Sequence, residues 1–315
     1  MIKSARTGWL IAWVVALGEL GTATPGAAQV FGEAARTEFF GGLGVRVFYG
    51  RINNTRLLSD GESIANPNGP RVFVNAVSVA LVYGLRPGLS LIGVVPSKGR
   101  TLKRTVDGGR ISETDWGVGD ITLLAKYRLY KRDSFSSSRQ VGIQAGLKLP
   151  TGADDLEDRQ GVRFPQPLQL GTGSVDYELA LTFTDFRNRL VFTGDLGYSL
   201  KTEANDFDFG DVFKYDVAVK FRLYPSRYGD NYPTHDLLLF VEVNGTVAAR
   251  ARSDVQTVAD SGGHQIFLAP GVQFFPLENV ILEAGLQLPV VDNLNGIQLG
   301  SSFRFRSGLR WIVAP

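Results

Sequence analysis

The chain has 315 residues, a net charge of +2, no cysteine, and 44% hydrophobic against 20% charged residues. Such a composition suits a folded chain, gives no reason to expect a nucleic-acid partner, and excludes disulfides and thiolate metal sites. Mean hydropathy close to zero excludes a bundle of membrane helices.

Residues 1–28 read as a signal peptide for export. Lys3 and Arg6 give the positive start, Trp9 to Leu17 the apolar core, and Gly26-Ala27-Ala28 the small-residue cleavage site. The core is shorter than the roughly 20 residues a spanning helix needs. The mature domain is then expected over 29–315. After Ala28 no apolar run is long enough for a helix to cross a bilayer, so any crossing falls to strands.

Period-two segments follow in chain order at 37–50, 71–83, a short one at 89–96, then 117–130, 140–149, 174–184 and 190–201. The clearest is Val212 to Tyr224, VFKYDVAVKFRLY. Phe213, Tyr215, Val217, Val219, Phe221 and Leu223 form one face; Lys214, Asp216, Lys220 and Arg222 form the other. Further segments lie at 237–249, 264–275, 280–290 and 298–312. Longer polar loops are read at 51–70, 97–115, 151–170, 202–211 and 251–263, and tight turns at 84–88, 185–189 and 276–279. The connections 131–138, 225–236 and 291–297 fit this alternation less well.

A soluble β-sandwich also alternates apolar and polar residues. Strand length, the alternation of long loops with short turns, and aromatics near strand ends (Trp116, Tyr127, Tyr130, Tyr198, Tyr215, Tyr224, Trp311) favour a membrane barrel. The predicted fold is all-β: a closed antiparallel up-and-down transmembrane barrel of about twelve strands. Closure follows because hydrocarbon offers no partner to an open sheet edge. A Lys or Arg facing lipid at mid-bilayer costs roughly 2–4 kcal/mol, so the charged rows must face the lumen. The expected pore-lining residues are therefore Lys126, Arg128, Lys148, Asp176, Glu178, Asp195, Lys214, Asp216, Lys220, Arg222, Glu242, Glu283, Arg304, Arg306 and Arg310.

The stretches GVGDITLLAKYRLY (117–130), GLKLPTG (146–152), LGTGSVDYELALTFT (170–184) and GHQIFLAPGVQFFP (263–276) resemble the outer-membrane transporter-like proteins of the phenol-degradation meta-pathway family. The resemblance covers most of 37–312. It implies a transporter-like barrel in the outer membrane of a Gram-negative bacterium, associated with aromatic compounds, and carries over no catalytic residue. Barrels of this kind usually end in an aromatic residue recognised during assembly, whereas this chain ends Trp311-Ile312-Val313-Ala314-Pro315; either Trp311 stands in for that signal or the assembly route is unusual.

Chemistry in the chain is sparse. His264 follows Ser261-Gly262-Gly263 without the serine two residues beyond it that an outer-membrane phospholipase would need, and reads as a loop or strand-end residue. His235 sits in a loop. Asp154, Asp155, Glu157 and Asp158 read as a solvated or lipopolysaccharide-facing loop before a Ca²⁺ site. Gly117-x-Gly119 and Gly171-x-Gly173 precede no helix and read as kinks or close approaches, not phosphate loops. Arg304, Arg306 and Arg310 either form an anion-selective wall or pair with Asp176, Asp216, Glu242 and Glu283 across the lumen.

The expected function is passive movement of small organic molecules through a polar lumen, aromatic ones through the resemblance, with loop 151–170 as lid or constriction. A structural or surface-recognition barrel with a filled lumen is the alternative, and an outer-membrane hydrolase a weaker one. No catalytic residue, metal or cofactor is expected. Expected partners are outer-membrane lipid and lipopolysaccharide, the solute, and the barrel-assembly machinery.

Overall fold

Alternating side chains make each strand two-faced, and pairing every edge bends the faces into inside and outside. In the computed structural model the described residues are 34–313, apart from 107–108, 159, 228–234 and 255. The expected signal peptide lies outside them. Twelve strands run β1 (Leu43–Ser59), β2 (Arg71–Arg86), β3 (Leu89–Val106), β4 (Gly109–Val118, then Ile121–Ser134 after a break at Gly119-Asp120) and β5 (Ser137–Leu149). They continue as β6 (Asp176–Arg187), β7 (Leu190–Leu200), β8 (Val212–Tyr224), β9 (Asp236–Ala248), β10 (Gly263–Leu277), β11 (Val280–Leu294) and β12 (Ile297–Val313). Each pairs antiparallel with the next. β12 returns to β1 from Leu43 with Val313 to Ser59 with Ile297, closing the barrel.

On β8 the predicted faces are realised. Val217 is 58% exposed on the outer wall, while Lys220 behind it is 2% exposed. The rows Val77, Val79, Leu81 and Tyr83 on β2, and Leu179, Leu181 and Phe183 on β6, also face outward. An outer wall this apolar would be an aggregation surface in water; in a bilayer it is solvated.

Two sequence expectations need correction. Residues 51–70 and 97–115 are not mainly loops: β1 runs on to Ser59, and the third strand, expected to be short, runs to Val106. β4 begins at Gly109 and pairs with it. The cause is a reversal of sidedness. In these upper reaches Arg51, Arg71 and Lys103 point outward, while Ile52, Leu57, Val72, Val74 and Leu102 are buried within. Above the bilayer the surroundings are water, so the apolar row turns inward. A pattern sought as oily-out reads there as irregular.

One seam is incomplete. β11 and β12 pair from Val280 with Trp311 to Gln287 with Arg304. Above that, Leu288–Leu294 follows β10 and Ile297–Phe303 follows β1. Pro289, which has no N–H to give, sits where the two strands part.

Candidate functional site

The lumen is occupied at three levels. At the long-loop end, extracellular in barrels of this type, the connection from Pro150 to Val175 folds across the mouth. Its short 3₁₀ turn, Gln166–Leu168, is buried. Phe164 and Leu168 pack into a cluster with Leu57, Val72, Val74, Leu102 and Leu299, supplied by β1, β2, β3 and β12. The Arg100 guanidinium lies 4.4 Å from the Phe164 ring centre, within cation–π range. Full burial of such side chains is worth about 1.5–3 kcal/mol each.

The base of this loop is fixed by charge. Lys148 Nζ lies 3.1 Å from Asp120 and 2.9 Å from Asp176, and Lys201 lies 3.1 Å from Asp176. Asp120 accepts from the Gly152 and Thr172 amides at 3.0 and 2.9 Å, and Thr172 Oγ1 also contacts Lys148. A Cβ on Gly152 or Gly171 would collide with the other's backbone, so glycine at both lets the loop's two ends meet. Gly171 lies in the connection and not in a strand, where the sequence reading puts its close approach.

Midway down, a polar belt crosses the inner wall. Glu283 receives Arg46 at 2.6 Å and Arg310 at 2.7 Å, and Gln273 donates to it at 2.9 Å. Lys220 donates to Gln273 at 3.1 Å. Asn244 donates to Asp216 at 2.6 Å and accepts from Gln287 at 2.8 Å. Of the pairings foreseen for the last strand, Arg310 with Glu283 is present. Arg304 donates to Ser301 and Gln265 and stacks on Phe267 at 4.2 Å.

At the short-turn end, residues 34–42 enter the lumen ahead of β1. Ala34 and Ala35 are fully buried. Lys126 donates to the Ala34 carbonyl at 3.0 Å, the Ala35 amide to Thr184 at 3.0 Å, and the Glu38 amide to Ser90 at 2.9 Å. Gly41 and Gly42 pair with Gly84 at 2.9 Å in each direction. A Cβ on Gly84 would fall inside the Phe39 carbonyl. Burial holds the Glu38 carboxyl above the ordinary glutamate range, against the opposing fields of Arg36, Arg310 and Lys126.

The fifteen residues read as inward-facing all lie in the buried or half-buried classes. Lys148 and Asp176 meet in the upper network, Lys220, Glu283 and Arg310 in the belt, and Lys126 at the seated segment. Arg128 lies by the Gly88 turn, its amide bonded to the Gly88 carbonyl at 2.8 Å. Sequence reasoning missed Arg46, Gln273, the seated segment and the apolar mouth; loose alternation over 37–50 hid the first and third. His264 opens β10 and shares a 2.7 Å hydrogen bond with the Tyr215 hydroxyl. Among the described residues no group of carboxylates and histidines is spaced to hold a metal.

A closed antiparallel tube with an apolar outer belt and charges within defines an outer-membrane β-barrel. The sequence match is narrower: the chain belongs to the family described as "Putative MetA-pathway of phenol degradation", whose model matches residues 93–288. The fold is similar to that of the COG4313 outer membrane channel from Pseudomonas putida F1, with TM-score 0.68 and 15% identity over 90% of this chain and 100% of that one. The translocator domain of the autotransporter NalP from Neisseria meningitidis is more distant, with TM-score 0.44 and 10% identity over 88% and 90%. No curated protein matches by sequence.

Proposed function

We propose that this barrel is a passive channel for small organic molecules with a substantial apolar part, gated at both ends of its lumen. The observation that carries the reading is the apolar mouth. Leu57, Val72, Val74, Leu102 and Leu299 turn inward at the extracellular end, under a loop that inserts Phe164 and Leu168 among them. Water gains nothing from such a lining, whereas an apolar solute replacing the loop's side chains would be held by the same burial.

The fifteen inward-facing charged residues serve in this reading as the wall of the path below the mouth. The belt around Glu283 narrows it, and residues 34–42 must shift for anything larger than an ion to leave. The upper loop and the seated segment are the two gates. The COG4313 channel's name supports transport over catalysis, and the family description supports an aromatic solute. Lipopolysaccharide around the long loops and the barrel-assembly machinery are the proposed macromolecular partners. Liposome swelling with purified protein tests the reading: single-ring solutes should enter faster than sugars of similar size, and entry of neither would end it.

A further inference from the structure

We propose that the periplasmic half of the lumen contains a binding site for small amphipathic anions, a single apolar ring bearing one carboxylate being the class that fits. This rests on the channel reading above and gives that path a solute class.

The site is a cavity of about 480 Å³ between the seated segment and the lower wall, within the range of about 300–1,000 Å³ usual for ligand sites. Its apolar side is made by Phe186, Leu238, Phe275 and Ile281, from β6, β9, β10 and β11. Five cationic side chains line it, Arg36, Lys131, Arg189, Lys220 and Arg222, against two carboxylates, Asp236 and Glu278.

One of those cations is neutralised locally and another is tied to the backbone. Lys131 pairs with Asp133 at 2.7 Å, and Arg189 donates to the Arg222 and Leu223 carbonyls at 2.9 and 3.1 Å. Among the described residues, two others have no carboxylate bonded to them. Lys220 hydrogen bonds a neutral amide, Gln273, and makes no ion pair among the described residues. Arg36 has neither a hydrogen bond nor an ion pair to another described side chain, and its segment is anchored one residue away, where the Ala35 amide meets Thr184. The cavity is therefore apolar on one side and net positive on the other.

That combination selects by chemistry. A carboxylate entering a lumen loses water and needs a cation or several donors in exchange. An attached ring covers Phe186 and Phe275. A neutral ring gains only the second interaction, and a ring bearing a quaternary ammonium meets like charge. Sugars gain neither.

Single-channel currents in planar bilayers, with benzoate, benzyl alcohol or benzyltrimethylammonium added on the periplasmic side, test the site. Benzoate should interrupt the current at concentrations about tenfold lower than benzyl alcohol, with the ammonium weakest. Arg36→Gln should remove most of that preference, as should Lys220→Gln. Arg132→Gln, which takes the same charge from the outer face at the same end, should leave it intact. If Lys220→Gln fails to assemble, Arg36→Gln decides alone. Equal block by benzoate and benzyl alcohol, or a preference untouched by Arg36→Gln, overturns the anion site while the channel stands. If liposome swelling shows that neither enters, the channel reading has failed instead.

Discussion

Lys148 and Asp176 face each other at 2.9 Å inside the barrel, with 4% and 1% of their side chains exposed. Asp120 shares the same ammonium and holds both ends of the loop that closes the mouth. Removing one partner of a buried pair typically costs about 3–5 kcal/mol, because the other charge is stranded. Lys201, 3.1 Å from Asp176, offsets part of this. Lys148→Met should therefore destabilise toward the lower end of that range and loosen the loop. The checks are a lower unfolding temperature in detergent and faster protease cleavage within 151–175.

The apolar mouth gives a second expectation. Phe164→Ala leaves Arg100 without its ring and opens the cluster around Leu57 and Leu299. Truncation of a buried Phe costs about 3–5 kcal/mol in a closed core, and here the loop can yield instead of the barrel. Swelling rates for neutral single-ring solutes should rise severalfold, with the barrel's unfolding temperature nearly unchanged. An unchanged rate with a collapsed unfolding temperature would make the loop a structural part of the wall.

Gly84→Val tests the other gate. Its added carbons would occupy the place of the Phe39 carbonyl, so residues 39–42 could no longer pair with β2. Mean conductance should rise above the unmodified channel. No change would mean that residues 34–42 do not restrict the path.

Acid should close that gate. Burial raises the Glu38 carboxyl above its ordinary value while the segment is seated, so the seated state binds a proton more tightly than the released one. The stabilisation is fully present below the ordinary glutamate value and is lost as pH rises through the raised one. Conductance should therefore fall as pH drops through a window just above the ordinary glutamate range. Glu38→Gln should flatten the curve. A rise on acidification, or a fall that Glu38→Gln leaves intact, contradicts this.

Sidedness itself is measurable on β8. Val217→Arg places a charge on the outer wall at mid-strand and should cost roughly 2–4 kcal/mol in lipid, read as a shift in denaturant midpoint for folding into vesicles. The same protein in detergent should feel it less, because micelles deform around a charge more readily than a bilayer.

Most of the barrel was legible where its surroundings are hydrocarbon. Val212 to Tyr224 is a strand with the bounds read from sequence, because one apolar row against lipid leaves no other register. Legibility ended where the outside medium changes from lipid to water. Arg51 and Lys103 looked like loop residues, and Leu57 and Leu102 lost their alternation with exposed polar neighbours on a membrane-facing scale. The seated segment was misread in part: the first period-two segment included 37–42, whereas the strand begins at Leu43 and Ala34 to Gly42 is held by its amides and carbonyls, which every sequence possesses. The alternation of a strand carries no information on pairing, so Arg304 could not be told from Arg310. Which carboxylate each meets depends on strand stagger, and composition carries no trace of that.

The parted upper reach of β11 and β12 gives the tube a built-in tear line. The first and last strands are sealed along their length, yet two strands adjacent in sequence separate above Gln287 and Arg304. Heat or mechanical pull should open the wall there, well away from the place where the ends of the chain were joined. Hydrogen–deuterium exchange would register it as early labelling of Leu288–Leu294, on a cylinder that otherwise labels from its rims.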